Sequence, residues 1–391
     1  MTQETETIII GGGLIGAFTA YFLAREGHPV TVLEKGFVGA QSSGANFGNL
    51  RLQGRDPRQY PLSLRAQAIW EAFETIAGES FEYDRTGHLY IARNEKELAK
   101  LEHHAEIARQ HGLDIEMLAT AALTQRFPYL ATDTLAATFC GRDATANPRL
   151  ATPVVMRAAL RLGARIVEHC EALSTVYTGS RFEVETAQGR FMSKTLVNAA
   201  GAWGGAIAAH FGEPVPVFSA GPPQFVTEPF PHVIRPSMQM VNGSVIFRQI
   251  PRGNVIVAGY PRTASEADGN RTFVPPGKTL AGMEALGAIV PLLRDAHVIR
   301  VWSGVEGYLP DMRPVIGPSR TQDGLFHAFA CCGHGFQIAP GIGAVLGELI
   351  RTGQTNTPID AYDIARFRDQ VPDSEKFIQE FDNRAIIPAA R

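Results

Sequence analysis

The sequence predicts an α/β protein, a parallel sheet flanked by helices and interrupted by a second unit rich in antiparallel strands. Three observations predict it. The chain opens with strand, glycine-rich turn, helix and strand in direct succession. Buried-strand patterns of that kind return near residues 195–203 and 304–336. Between Pro214 and about Arg300, strand–helix alternation gives way to prolines, glycines and short strands.

The first unit begins with the apolar run Thr7-Ile8-Ile9-Ile10, which leads into Gly11-Gly12-Gly13-Leu14-Ile15-Gly16. Gly11 supplies the tight turn, Gly13 lets a pyrophosphate approach, and Gly16 lets the helix lie close on the strand. The helix N-terminus then points free N–H groups at the phosphates. Leu14, Ile15, Phe18, Tyr21, Phe22 and Leu23 recur at helical spacing until Gly27 and Pro29 stop the helix. Val30–Leu33 is a second strand ending on Glu34, which is placed to accept a hydrogen bond from a ribose hydroxyl. A glycine fingerprint alone is common. Strand, fingerprint, helix, strand and terminal acid in one unit specify a dinucleotide site.

The loop Gly39–Asn49 is too polar and glycine-rich for a core element, and it leads to Arg51 and Arg55. A helix is expected over 62–77, two short strands around Thr86-Gly87 within 81–93, and a charged amphipathic helix over 95–111. His103, His104 and His111 lie on that helix without acids or cysteines at ligand spacing, so they are expected to face solvent. A short helix or turn covers 119–127, and a helix, 151–162, follows the polar turn Asp143–Leu150. Strands follow at Ala164–Val167 and Phe182–Thr186. Thr195–Asn198 then reads as a buried strand that opens into Ala199-Ala200-Gly201-Ala202-Trp203. Short strands are expected at Ser244–Ile250 and Asn254–Gly259, then one at Leu325–Ala330 and a helix over 338–352. Pro340 suits that helix's first turn. Accessible N–H groups behind Gly333-His334-Gly335 would stabilise negative charge. Beyond Pro372 a terminal helix and a loose tail are expected.

At 391 residues the chain can bury two cores. A net charge of −3 gives no electrostatic case for nucleic acid or an anionic membrane. No apolar run is long enough to span a bilayer, and the acidic start has neither the basic flank nor the cleavage site of a signal peptide. The four cysteines, Cys140, Cys170, Cys331 and Cys332, form no metal-ligand spacing, so no metal is expected. Reduced thiols and a cytoplasmic location follow as expectations.

Taken together, Gly11–Gly16 with Glu34, Ser42–Gly48, Asn198–Trp203, Pro310-Asp311 with Pro314–Gly317, and Gly333–Phe336 resemble the D-amino-acid oxidase superfamily of FAD-dependent oxidoreductases. The sarcosine oxidase, glycine oxidase and opine or hydroxyproline dehydrogenase β-subunit branch is the most similar, and the resemblance covers nearly the whole chain. It implies an FAD-binding Rossmann-like domain of glutathione-reductase type, from residues 1–80, 144–213 and 301–371. A mixed or antiparallel β-rich substrate domain would come from 81–143 and 214–300, with a C-terminal helix and tail at 372–391. The implied reaction is hydride transfer from the carbon beside an amine nitrogen to flavin N5, followed by hydrolysis of the imine. The implied substrate is a small amine or amino acid: a D-amino acid, an N-substituted glycine, an opine or hydroxyproline. Beside Gly11, Gly13, Gly16 and Glu34, the resemblance places Leu14, Ile15, Lys35, Ser42, Ser43, Asn46, Phe47 and Gly48 at the cofactor. Ala200, Gly201, Trp203, Gly333, His334, Gly335, Phe336 and Gln337 join them. Two alternatives stay open, an NAD-dependent dehydrogenase using the same fingerprint and a flavoprotein β-subunit inactive without partner subunits.

Departures from the family pattern shape the remaining expectations. The stretch Trp302–Asp311 lacks the cysteine that tethers FAD in some relatives, so FAD is expected to be non-covalent, with Cys331 or Cys332 as the only thioether alternatives. Where glycine-oxidase-like relatives carry a carboxylate-binding arginine, this chain has Glu306. Arg51 becomes the first candidate to hold a carboxylate, with Arg248 and His334 behind it and Asn49 and Tyr308 as further substrate contacts. Arg51, His334 and Glu306 are the candidate catalytic residues. Arg51 could instead make a phosphate or structural contact. Glu306 needs either an arginine such as Arg248 or Arg313, or a cationic end of the substrate. No lysine falls between Lys194 and Lys278, where fast oxygen-reacting relatives place one over the flavin. Its absence leans toward a dehydrogenase that passes electrons to another acceptor or a partner subunit.

Overall fold

The computed structural model describes residues 2–259, 261–266 and 270–381. A six-stranded sheet carries the fingerprint, in the order Val315–Pro318, Leu325–Phe329, Thr195–Asn198, Thr7–Ile10, Val30–Leu33, Arg165–Val167. Its pairs are parallel except at the edge, where Val315–Pro318 runs antiparallel to Leu325–Phe329. Ile8, Ile9, Val32, Leu196 and Val197 are fully buried, as strands covered on both faces require. From Thr7–Ile10 the chain first moves to one side, to Val30–Leu33, and only later to the other, to Thr195–Asn198. The crevice at the carboxyl ends of these strands is therefore a topological switch point, where α/β sheets bind ligands.

Helices Leu14–Arg25, Tyr60–Ala77, Pro148–Arg161 and Gly335–Thr352 cover one face. They share one apolar core in which Phe18 meets Phe73 edge-on and Trp70 packs on Phe336. The last helix begins at Gly335, three residues earlier than the sequence suggests. Pro340 therefore lies past its first turn, inside the helix, where it removes the bond to the carbonyl of Phe336.

The second sheet has eight strands: Val298–Trp302, Gln224–Pro229, Asn254–Ala258, Ile246–Gln249, Ser237–Met240, His88–Ala92, Ala136–Cys140 and Glu116–Ala119, in that order. Only Ser237–Met240 and His88–Ala92 pair in parallel, so the sheet is mixed. Of the two strands expected around Thr86-Gly87, only His88–Ala92 forms. The stretch before it turns at Glu82, whose φ is 57°, and makes only an isolated bridge from Asp84 to Thr145. The segment read as short strands alone also holds a helix, Pro276–Ile289, entered through prolines at its first turn.

Two of the three histidines expected in solvent are partly covered. His104 is half-buried, and burial lowers its pKa to about 4. His111 stacks on Tyr60 at 4.5 Å and lies 2.9 Å from the carbonyl of Ile107. At the far end of the chain Ser374 caps the helix Glu375–Gln379. This segment is docked, since Phe377 and Phe381 bury their rings beside Phe218 and Tyr308. The rest of the expected tail, residues 382–391, lies outside the described residues.

Candidate active site

A cavity of about 450 Å³ runs from the carboxyl ends of the six-stranded sheet to the wall of the second sheet. At its first end Gly11 turns the chain with φ +111°, and an added Cβ would meet the carbonyl oxygen of Ala199 at 2.4 Å. Gly16 stands behind the lining, where a Cβ would fall 2.0 Å from the carbonyl oxygen of Gly11. Both positions therefore exclude any other residue. Gly13 faces Ser43, whose Oγ would be 3.0 Å from an added Cβ and which accepts from Leu14 N at 2.9 Å. Glu34 accepts from Gly12 N and Gly36 N, one on each oxygen, both at 2.7 Å. Each oxygen keeps a lone pair for a ribose hydroxyl. Lys35 lies over the Trp203 ring at 3.4 Å, and both residues line the cavity.

The loop between the two ends is clamped from the second sheet. Gln224 Nε2 and Trp302 Nε1 both donate to the carbonyl of Ala45, at 2.6 and 2.9 Å. Arg248 donates to the carbonyls of Phe47 and Ala146. These bonds hold Ser42, Asn46, Phe47, Gly48 and Asn49 along the cavity wall. Asn49 Oδ1, Gln224 Oε1 and Gln337 Oε1 are buried with no hydrogen-bond partner among the described residues, and all three side chains belong to the lining. Orphaned acceptors are costly. FAD carries N–H and hydroxyl donors that would satisfy them, so the residues present fit that cofactor.

The far end is cationic. Arg51 follows the two-residue strand Asn49–Leu50, which pairs with Ala144–Thr145. Its guanidinium lies over Tyr90 at 4.9 Å and donates to the carbonyl of Gln53. Asp143 holds the next residue, accepting from Leu52 N at 2.6 Å, and burial lifts its pKa to about 6. Arg55 donates to the carbonyl of Arg51 and also lines the cavity. Opposite, a three-stranded sheet pairs Ala220 with Glu306 and Gly221 with Thr263, which brings Arg262 beside Glu306. Arg262 is ion-paired with Glu380 and lies over the Tyr308 ring at 4.9 Å. Tyr308 Oη donates to Glu306. Burial raises the pKa of Glu306 while Arg262 and Tyr308 pull it down. The partners expected for Glu306 are engaged elsewhere, Arg313 by Asp311 and Arg248 by the carbonyls above.

Of the candidates read from sequence, Arg51, Glu306, His334 and Asn49 line the cavity, as does every cofactor candidate except Gly16. Arg248 and Tyr308 stand outside it, Arg248 bracing the loop and Tyr308 bracing Glu306. Cys331 and Cys332 both line the cavity, and the Cys332 thiol donates to the carbonyl of Ala330. Burial pushes the Cys331 thiol up to about 12, so it is protonated at neutral pH. Arg262, Gln59 and Lys376 carry no sequence signal, because long-range register and docking alone bring them to the site. Among the described residues no cluster of His, Cys, Asp and Glu could hold a metal ion, and no helix is long and apolar enough to cross a membrane.

Over residues 6–349 the chain matches the family described as FAD dependent oxidoreductase (DAO). It is 27% identical over 378 residues to glycine oxidase from Geobacillus kaustophilus (strain HTA426), covering 94% of this chain and 97% of that protein. It is equally 27% identical over 384 residues to sarcosine oxidase subunit beta from Rhizobium meliloti (strain 1021), covering 93% and 88%. Among solved structures, L-proline dehydrogenase from P. horikoshii superposes with a TM-score of 0.89 at 25% identity, covering 94% of this chain and 99% of that one.

Proposed function

The chain belongs to the FAD-dependent oxidoreductase (DAO) family, and from that premise we propose that it oxidises the C–N bond of an amino acid or secondary amine. One observation carries the reading. A single cavity joins the Gly11–Glu34 dinucleotide site to a far end lined by Arg51, Arg55, Arg262 and Glu306. FAD, when bound, supplies the acceptor for the hydride that leaves the carbon next to nitrogen. Arg51 orients the substrate through its carboxylate, and the guanidinium suits that task because it offers a planar fork of donors. Arg262 and Glu306 close the opposite wall, and the loop clamped by Gln224, Trp302 and Arg248 forms the side between the two ends. The amine nitrogen contributes its lone pair, the C–H pair departs as hydride, and water then hydrolyses the imine to a carbonyl compound and an amine.

In this reading residues 1–80, 144–213 and 301–371 hold the cofactor, while 81–143 and 214–300 roof the substrate. FAD is held non-covalently, which the protonated Cys331 and the occupied Cys332 support. The four free thiols suit the cytoplasm. The likeness to a protein named as a subunit supports a partner subunit. The test is anaerobic bleaching of the flavin by a panel of D-amino acids, N-substituted glycines, opines and hydroxyproline. At least one should bleach it; a flavin that only NADH reduces would sink the proposal.

A further inference from the structure

His334 lines the cavity at the entrance to the helix Gly335–Thr352, yet neither ring nitrogen is free for substrate. Nδ1 lies 2.9 Å from Gln59 Oε1 and Nε2 lies 2.8 Å from Lys376 Nζ. The roles in this chain of bonds are fixed by chemistry. Gln59 turns its amide nitrogen to Ser63 Oγ at 3.1 Å, which leaves its oxygen, an acceptor only, for the ring. Nδ1 must then carry the proton. An ammonium has three donors and no acceptor, so Lys376 donates and Nε2 must be bare.

Lys376 reaches this position because its segment is anchored on both sides. Phe377 and Phe381 are buried in the apolar cluster around Phe218 and Tyr308. Arg262 N donates to the carbonyl of Glu380 at 2.7 Å, and the Arg262 side chain is ion-paired with the Glu380 carboxylate. The segment Ser374–Phe381 thus forms part of the wall of the site.

We propose that Lys376 is a positioning residue that holds His334 as a neutral, Nδ1-protonated imidazole, so that the cavity wall beside the substrate carries neither an extra cation nor an available proton. This rests on the reading above only for its catalytic consequence. Hydride leaves from an amine whose lone pair is free, and an imidazolium beside that nitrogen would engage the lone pair. Burial opposes protonation of the ring most, and the charged groups facing it, Lys376, Arg55, Arg51 and Arg262, are all cations and oppose it further. Glu380 is 3.9 Å from Lys376 and helps keep it charged, although burial lowers the lysine to about 8.

The experiment is a pH titration of the FAD-loaded protein by imidazole nitrogen NMR, with the His334 signal identified by its loss in H334N. In the wild type His334 should show one neutral tautomer with the proton on Nδ1, without protonating down to pH 5.5, about one unit below the ordinary histidine value. K376M removes the donor and the charge from a half-exposed position, so folding and FAD content should persist. His334 should then titrate at least about one unit higher, and substrate-driven flavin reduction should gain an acid limb at that pH. K376R keeps a cationic donor and should behave like the wild type. An unchanged His334 titration in K376M would overturn the proposal, as would a protonated ring in the wild type at pH 7. These readings stand whether or not any amine reduces the flavin.

Discussion

At one end of the cavity nearly every contact is made by backbone. Gly11 and Gly16 meet carbonyl oxygens where no side chain fits, and Glu34 is held by two amides within its own βαβ unit. At the other end the contacts are made by side chains from five separate stretches, carrying Arg51, Gln59, Arg262, Glu306 with Tyr308, and Lys376. The first end depends on local conformation, so a short motif encodes it. The second depends on which strands pair and in what register, so no short motif can. The same contrast governs tolerance. A backbone cradle fails when any atom is added, whereas a network of charged side chains can redistribute after one loss.

Three substitutions sharpen that contrast, from the largest effect to the smallest. G13V puts a branched side chain into the cradle beside Ser43, and FAD retention should fall at least about 100-fold, ~2.7 kcal/mol. Flavin content after purification checks it, and stoichiometric yellow protein would break the comparison at its strongest point. R51A removes one cation but leaves Arg55 and Arg262. FAD content should hold while the efficiency of flavin reduction by substrate falls by about 2 kcal/mol, the low end for losing one partner of a buried charged contact. Stopped-flow reduction under anaerobic conditions measures this, and unaltered kinetics would remove Arg51 from the substrate.

E306Q should have the smallest effect, and its sign depends on pH. Burial lifts the Glu306 carboxyl above its ordinary value of 4.5, so the folded chain binds that proton more tightly than the unfolded chain. Its contribution to stability is therefore complete below pH 4.5 and is lost as pH rises through the folded value. E306Q lacks that loss and should gain on the wild type in stability between pH 4 and pH 7. Arg262 is not stranded by the change because Glu380 still pairs with it. Denaturant melts at the two pH values check the sign. A variant that weakens as pH rises would show that Glu306 is chiefly an ion-pair partner.

Legibility in the sequence followed this division between backbone and side chain. The strand Thr7–Ile10, the helix Leu14–Arg25 and the strand Val30–Leu33 form where period and caps indicate. Glu306 stands out in sequence because the family resemblance implies a cation at that position. Its partner does not, since Arg262 reaches it only through the pairing of Thr263 and Glu306 on either side of Phe218–Gly221. The capping serine at Ser374 marks a helix but says nothing of where the helix docks. That depends on Phe377 and Phe381 finding Phe218 and Tyr308, more than 60 residues upstream. Arg248 reads in sequence as a spare cation for a carboxylate, and only the fold shows that its donors hold main-chain carbonyls.

The order of strands in the six-stranded sheet also bears on how the chain is made. Thr7–Ile10 lies between Val30–Leu33, which follows it at once, and Thr195–Asn198, which comes about 160 residues after Leu33. At roughly 5–20 residues per second of synthesis, that interval is on the order of 8–30 s. For that time this wholly buried strand has one edge without a neighbour, a ready template for pairing with other nascent chains. Its safety during synthesis therefore depends on whatever covers that edge until the middle of the chain arrives.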